Sequence, residues 1–210
     1  MGTIALFGGK AFSDVGANRE VTTRLLAASG ATSVVVLPTA DAFEQPAELV
    51  KAAEAWFAPL GVAVQGLMVL TRRDAQDEAH AATVRASSFV FLAGDSPLHL
   101  RSTLKDTVVW SAVEAVSASG VVAASGASAA ALCDPMTDPR GGAFGLGLGL
   151  VRPLAVLHEA EGWSHDRLHR ARQLAKGFTV ATMPSGTALV RTDGRWDRFG
   201  NGLEVAGELP

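Results

Sequence analysis

The chain has 210 residues, with 18 lysines and arginines against 21 aspartates and glutamates, for a formal net charge of −3. This balance argues against nucleic acid as a partner, and no apolar run reaches the ~20 residues needed to span a bilayer. The single cysteine, Cys133, permits no internal disulfide, and the first residues lack the basic start and long apolar core of a secretion signal. We therefore expect a cytoplasmic protein that does not contact membranes.

In chain order, short apolar runs alternate with longer stretches of helical spacing. The runs that predict strands are TIALFGG, TSVVVLPTA, VAVQGLMVL, SSFVFLAG and GVVAASG. Between them, PAELVKAAEAWFAPLG predicts a helix that begins at Pro46, ends near Gly61 and places one face on the core: Leu49, Ala52, Ala53, Trp56 and Phe57. This alternation predicts a single α/β domain over residues 1–210 with three layers, in which helices cover both faces of a mainly parallel sheet.

The end of the chain has a different pattern. The segment FTVATMPSGTALVRTDGRWDRFG carries turn signals at 184–186 and 193–194, which predict antiparallel hairpin strands at the sheet edge. In an open parallel sheet, sites form beyond the carboxyl ends of the strands. We therefore look for functional residues where the predicted strands end.

One strand exit, GVVAASGASAAALCD, combines two serines with residues that have almost no side chain. Its GASAA segment resembles the nucleophile elbow G-x-S-x-G, with Ala130 in the last glycine position. Ser128 is the candidate nucleophile because it falls at the predicted turn, whereas Ser125 falls inside the strand pattern. Small residues also let a strand and a helix cross closely, so a purely structural interpretation stays open.

A serine hydroxyl needs a base to take its proton. Of the five histidines, His158 ends the apolar strand PLAVLHEAEG and should lie on the rim where Ser128 emerges. A rim histidine with a structural role is the alternative. His165 and His169 are four residues apart on a predicted helix, but no H-E-x-x-H pattern or cysteine supports a metal site there.

A carboxylate should orient the imidazole of His158. The acids between Ser128 and His158 are Asp134 and Asp138, and each precedes a proline, so either could instead form a turn. Glu159 lies next to the histidine but should point away along the strand. For the oxyanion, the backbone N–H of Ala129 and one from Gly94 or Asp95 are the candidate donors.

Several segments together resemble the cyanophycinase and dipeptidase E family of serine peptidases. They are the strand and helix PTADAFEQPAELVKAAEAWFAPLG, the segment RRDAQDEA, the loop AGDSPLHL, the corner GVVAASGASAAAL, the approach GLGLGL, the helix RLHRARQLA and the closing hairpin GTALVRTDGRWDRFGNGLEV. The order and spacing of these segments cover almost the whole chain.

The resemblance implies a class I glutamine-amidotransferase-like α/β fold and a serine peptidase that hydrolyses dipeptides or short peptides through an acyl-enzyme. It assigns Ser128 as nucleophile, His158 as base and Asp138 as the orienting acid, with Asp134 in reserve. The oxyanion donors fall on Gly94 and Ala129.

We further expect Asp95, Ser96 and Arg140 to bind the substrate, and we expect neither a cofactor nor a metal. The resemblance also implies a homodimer. A preference for acidic substrates would need a cationic pocket, for which Arg140, Arg152 and Arg167 are candidates.

The chain departs from the family pattern at several positions: Ala93, Ser96, Ala130, Val156 and Leu157. Two alternatives to a peptidase therefore stay open. One is a non-catalytic relative of the same fold that binds a peptide or metabolite. The other is an amide or ester hydrolase that is not a peptidase.

Overall fold

The computed structural model describes residues 2–138, 140 and 142–210, which form an α/β structure. The strands in chain order are β1 (Thr3–Phe7), β2 (Ser33–Leu37), β3 (Ala63–Gly66), β4 (Phe89–Leu92), β5 (Val121–Ser125), β6 (Met136–Thr137), β7 (Phe144–Gly145), β8 (Leu154–His158), β9 (Thr179–Met183), β10 (Ala188–Thr192), β11 (Arg195–Phe199) and β12 (Glu204–Ala206). The helices are α1 (Asn18–Ser29), α2 (Pro46–Phe57), α3 (Arg72–Ala75), α4 (Glu78–Arg85), α5 (Pro97–Leu104), α6 (Val108–Ser119), α7 (Ala127–Leu132) and α8 (His165–Leu174).

The strands form a large sheet in the order β11-β10-β1-β5-β4-β2-β3. The five strands from β1 to β3 in that order are mutually parallel, and β10 and β11 add an antiparallel edge beside β1. A smaller sheet has the order β12-β9-β8, with β8 and β9 parallel. These features confirm the predicted fold class.

Both faces of the large sheet are covered, as expected from the apolar character of its strands. In β1, Leu6 joins one apolar core together with residues of α6 and α7, while Phe7 joins the opposite core with residues of α1 and α2. The alternation follows from the period of two along a strand. A parallel sheet buried in this way presents the carboxyl ends of its strands at one edge.

Helix α2 shows how closely the periodicity predicts burial. Pro46 occupies the first turn as predicted, and the buried face consists of Val50, Ala53, Trp56 and Phe57. Leu49 is only half-buried and Ala52 is exposed, so the predicted face was rotated by part of a turn.

The C-terminal region agrees with the prediction in one of its two turns. The turn at 193–194 joins β10 to β11 as an antiparallel hairpin on the sheet edge. The turn at 184–186 instead carries the chain from β9, in the smaller sheet, to β10 in the large one. Within the described part of the chain, no helix is long and apolar enough to cross a membrane.

Candidate functional site

A cavity of about 490 Å³ lies at the carboxyl ends of the parallel strands, and we call it the rim cavity. The segments that follow β1, β2, β4 and β5 all contribute to its wall. Its lining residues are Lys10, Ala11, Phe12, Asp41, Glu44, Gln45, Glu48, Leu49, Ala52, Ala93, Gly94, Asp95, Ser125 and Gly126. This is the position at which open parallel sheets place their sites.

The chain turns sharply between β5 and α7 at Gly126. This residue has φ 54° and ψ −123°, a conformation that glycine adopts far more easily than other residues. Its N–H donates to the carbonyl of Phe7 at 3.0 Å, which ties the turn to β1. The strand-to-helix elbow predicted for this segment therefore exists, and its turning residue is Gly126.

The direction in which the elbow points follows from the geometry of Gly126. A Cβ atom built on this residue would lie 3.9 Å from Nδ1 of His158 and 3.9 Å from the carbonyl carbon of Gly9. Both separations are ordinary van der Waals contacts. A side chain at position 126 would therefore face the imidazole of His158.

Ser128 lies elsewhere than the sequence predicted. It is the second residue of α7, is fully buried, and donates its hydroxyl to the carbonyl oxygen of Gly94 at 3.0 Å. Gly126 lines the rim cavity and Ser128 does not, so the Ser128 hydroxyl does not follow the direction set at Gly126. The predicted placement of Ser128 at the turn is thus corrected, because β5 ends at Ser125 and the turn comes two residues before Ser128.

Ser125 lies inside the strand, as the sequence predicts. It is the last residue of β5 and only 6% exposed, as a packed strand residue should be. Nevertheless it contributes to the wall of the rim cavity beside Gly126.

His158 is the last residue of β8, where the sequence placed it. Its side chain is 14% exposed, and its Nδ1 atom is buried without a hydrogen-bond partner among the described residues. Burial lowers the pKa of His158 below its usual value. The charge of Asp95 opposes that shift and the charge of Arg167 adds to it. A neutral imidazole of this kind is able to accept a proton.

The carboxylate beside the imidazole belongs to Glu159. Its Oε2 atom lies 3.8 Å from Nδ1 of His158, and burial raises the pKa of this carboxyl. The sequence predicts that the side chain of Glu159 points away from His158, because neighbouring residues alternate along a strand. The strand ends at His158, however, and Glu159 has a φ of 48°, held by its N–H donating to the carbonyl of Gly8 at 2.6 Å. Glu159 could have been predicted from its position directly after a histidine at the end of a strand.

Of the two predicted acids, Asp138 makes local contacts and Asp134 makes contacts with distant parts of the chain. Asp138 accepts the backbone N–H of Arg140 at 2.9 Å, and its own N–H donates to Ala143 at 2.7 Å. Asp134 lies 3.4 Å from Nε of Arg152 and accepts the N–H of Gly147 at 3.3 Å. The contacts of Asp138 fit its alternative interpretation as a turn former, whereas those of Asp134 connect its loop to residues 147 and 152.

The predicted oxyanion donors are Gly94 and Ala129. The carbonyl oxygen of Gly94 accepts a hydrogen bond from the Ser128 hydroxyl. Gly94 has a φ of 119°, and its backbone lies close to that of Asp41. Ala129 is fully buried inside α7. With the elbow at Gly126, the N–H that directly follows the turn is that of Ala127.

Of the three residues predicted to contact substrate, only Asp95 lies in the wall of the rim cavity. Its N–H donates to Oδ1 of Asp41 at 2.8 Å, and its carboxylate lies 3.8 Å from Nζ of Lys10. Ser96 precedes α5, with its N–H donating to the carbonyl of Ala40. Arg140 is exposed beside Asp138.

The sequence predicts no metal site in this protein. In the part of the chain that the structure describes, no group of three or more His, Cys, Asp or Glu residues has a metal-binding arrangement. His165 and His169 stack with their ring centroids 6.4 Å apart.

The shifted pKa of His158 predicts a pH dependence of stability. Because the folded-state pKa lies below the unfolded value of 6.5, the unfolded chain binds more protons over that interval and stability falls as the pH drops below about 6.5. Urea unfolding at pH 7.5, 6.5 and 5.5 should show this loss in the parent and a smaller one in His158→Gln. The exposed His165 gives the control: His165→Gln should retain the parent's slope, and equal slopes in the parent and His158→Gln would contradict the prediction.

A mainly parallel α/β sheet with a sharp strand-to-helix elbow and a histidine on its carboxyl rim is the architecture of hydrolases that build their active site on such an elbow. The model of peptidase family S51 matches residues 4–198. The chain therefore belongs to peptidase family S51, a family of serine-type peptidases, which are hydrolases. This confirms the resemblance found in the sequence.

Solved structures with the same fold are also peptidases. The crystal structure of a peptidase from an acI-B1 Actinobacterium has a TM-score of 0.84 and 21% identity, covering 98% of this chain and 89% of that one. A candidate peptidase E from Listeria monocytogenes EGD-e has a TM-score of 0.69 and 14% identity, covering 96% of this chain and 100% of that one. At these identities the similarity shows the fold. A search of curated proteins found no match.

Proposed function

We propose that the rim cavity binds dipeptides or one end of short peptides, with a peptide carbonyl placed beside Gly126 in its wall. Membership of peptidase family S51 supports a peptide ligand. The observation that carries the proposal is that the cavity wall includes the elbow itself, at Ser125 and Gly126. A volume of about 490 Å³ is in the range of small-molecule sites and suits a ligand of this size.

The charge of the cavity favours the amino end of a peptide. The wall contains four carboxylates, at Asp41, Glu44, Glu48 and Asp95, against the single cation of Lys10. Burial raises the pKa of Asp41, and the carboxylate of Asp95 adds to that shift. A protonated amino terminus relieves such repulsion, whereas an additional carboxylate on the ligand would increase it. We therefore propose peptides with a free amino terminus as ligands.

The arginines that could have formed a pocket for acidic peptides make other contacts. Arg140 lies beside Asp138 and Arg152 beside Asp134, both outside the wall of the rim cavity. Arg167 stacks on the ring of Trp163 at 3.5 Å. The geometry thus gives more support to peptides that carry a positive charge than to acidic ones.

Binding is tested with a panel of free and N-acetylated dipeptides and tripeptides, by calorimetry. Free peptides should bind at least about 10-fold more tightly than their acetylated forms, a difference of ~1.4 kcal/mol. Glu48→Gln, which removes one exposed charge from the wall, should reduce this ratio, whereas Glu114→Gln on α6 serves as the matched control. Absence of binding by any peptide, or equal binding of both forms, would contradict the proposal.

Hydrolysis by Ser128, His158 and Asp138, with dipeptidase or exopeptidase specificity, is the second candidate function, and it is favoured by the family. Mass spectrometry of the same peptide panel tests it with Ser128→Ala in parallel. Loss of a true nucleophile should reduce the rate by several orders of magnitude. The cytoplasmic location and the homodimer stay predictions beside it.

Ser128→Ala has a distinct expectation if the hydroxyl serves packing. The carbonyl of Gly94 would lose its buried donor, and we expect the free energy of unfolding to fall by about 1–3 kcal/mol. Urea denaturation measures this loss, with the exposed Ser102→Ala as control. Unchanged stability together with abolished hydrolysis would instead assign Ser128 to catalysis.

A further inference from the structure

We propose that residue 126 occupies the position of the nucleophile, and that glycine there leaves this chain able to hold a peptide without forming an acyl-enzyme. The inference depends on the proposed function in one respect: it takes the rim cavity as the peptide site. It goes further by assigning the missing chemical group and the position where that group belongs.

The backbone at Gly126 has the geometry of a nucleophile elbow. A nucleophile elbow places the reactive side chain on the strained residue between strand and helix, because that turn exposes the side chain above the sheet. In this chain the residue between β5 and α7 with φ 54° and ψ −123° is Gly126. The backbone therefore forms the elbow, but the residue at its turn, Gly126, has no side chain.

The space around Gly126 would accommodate a side chain. Several glycines here are required by close contacts; a Cβ at Gly8, for example, would lie 2.3 Å from the carbonyl oxygen of Pro184. At Gly126 a Cβ would meet its nearest neighbours only at 3.9–4.0 Å. Steric contacts alone therefore leave room for a small side chain at this position.

A side chain at residue 126 would face Nδ1 of His158. The atom of His158 nearest to this Cβ position is Nδ1, which is buried and has no hydrogen-bond partner among the described residues. A serine hydroxyl one bond beyond Cβ would come within hydrogen-bonding reach of Nδ1 in a suitable rotamer. Nδ1 of His158 therefore lies buried, without a hydrogen-bond partner in the described part of the chain, beside the position where a serine at residue 126 would place its hydroxyl.

The two neighbouring serines do not replace this group. The hydroxyl of Ser128 is fully buried and donates to the carbonyl of Gly94, and Ser128 does not line the rim cavity. Ser125 is the last residue of β5 and is only 6% exposed, so its hydroxyl does not lie on the strained residue of the elbow.

The test is covalent labelling of Gly126→Ser by a fluorophosphonate, followed by intact mass and peptide mapping. In this variant Oγ of residue 126 attacks phosphorus, the new P–O bond replaces the P–F bond, the hydroxyl proton passes to His158 and fluoride leaves. We expect labelling of residue 126 at least about 100-fold faster than any labelling of the parent, in the range of general-base assistance. Gly126→Ser with His158→Gln should lose this advantage, and Gly126→Ala reports the backbone strain without a hydroxyl.

The outcomes separate the two proposals. Labelling of the parent on Ser128 or Ser125, or peptide hydrolysis by the parent that Ser128→Ala abolishes, would overturn the inference. So would a Gly126→Ser protein that melts cooperatively and stays unlabelled. Failure of the parent to bind any peptide would overturn the proposed function, whereas the assignment of residue 126 as the nucleophile position would stand, because fluorophosphonate labelling does not require peptide recognition.

Discussion

Gly94→Ala should reduce the free energy of unfolding by roughly 3–5 kcal/mol and abolish peptide binding in the rim cavity. Gly94 has a φ of 119°, where residues with a Cβ are strained. An added Cβ would also lie 2.7 Å from the backbone nitrogen of Asp41 and 2.8 Å from the carbonyl carbon of Ala40. Because these are backbone atoms, no side-chain rotation relieves the clash.

The consequences extend across the site. Moving the Gly94 segment away from Asp41 would break the bond from the N–H of Asp95 to Oδ1 of Asp41, which is 2.8 Å long. It would also remove the carbonyl that accepts the hydroxyl of Ser128 at 3.0 Å. The rim after β4 and the start of α7 are therefore both coupled to this one glycine.

Gly61 provides the matched control. It has a φ of 69°, and a Cβ there would meet nothing within 4 Å. Gly61→Ala should therefore cost only the strain of the left-handed conformation, about 1–2 kcal/mol. Urea unfolding measures both variants, and calorimetry measures their peptide affinity. A Gly94→Ala protein as stable as Gly61→Ala would show that the close contact with Asp41 is not required.

The same glycine shows what sequence patterns cannot supply. The sequence predicts Gly94 only as a candidate donor to the oxyanion. In the structure its backbone approaches Asp41, a residue of the chain itself that follows a different strand. Such a contact between two strand exits depends on sheet order, and the strand order β5-β4-β2 is not contained in local periodicity.

The fold was predictable because its signals are local and repeated. In β1, neighbouring residues such as Leu6 and Phe7 are both apolar and enter opposite cores, which is typical of a strand buried on both faces. The strand positions followed from such runs, and His158 was placed correctly at a strand end. Each of these features needed only the identity of a few adjacent residues.

The elbow was misplaced for a physical reason. The pattern GASAA predicts that the turn falls at Ser128, but β5 pairs with β1 only as far as Ser125, opposite Phe7, and the chain turns directly afterwards. Element ends are set by pairing with neighbours and are less predictable than the elements themselves. Because the turn falls two residues earlier than predicted, Gly126 and not Ser128 occupies the position that faces His158.

Phe91→Ala is expected to have the other large effect, a loss of about 3–5 kcal/mol in the free energy of unfolding. Phe91 is 1% exposed in the core beneath the rim. Its ring lies 5.7 Å from that of Phe7, 6.4 Å from Phe89 and 4.8 Å from Phe12, measured between centroids. Removing the ring would leave a cavity that these aromatic neighbours cannot fill without moving.

Phe12 connects this core defect to peptide binding, because it is half-buried and lines the rim cavity. With Phe91 absent, Phe12 keeps only its edge contact with Phe57, at 6.0 Å, among the aromatic contacts described for it. We expect its ring to move into the vacated volume and to weaken peptide affinity at temperatures where the variant is fully folded. Phe91→Leu should show a smaller form of both effects, since more of the volume is retained.

The control for an unspecific loss of an aromatic ring is Phe43, which is 83% exposed. Phe43→Ala should change stability by no more than about 0.5 kcal/mol. If Phe91→Ala lost stability while binding peptides as tightly as the parent, Phe57 alone would hold Phe12 in the wall. A parallel loss of both would instead show that the wall of the rim cavity depends on the aromatic core under β4, so that peptide recognition and folding share the same side chains.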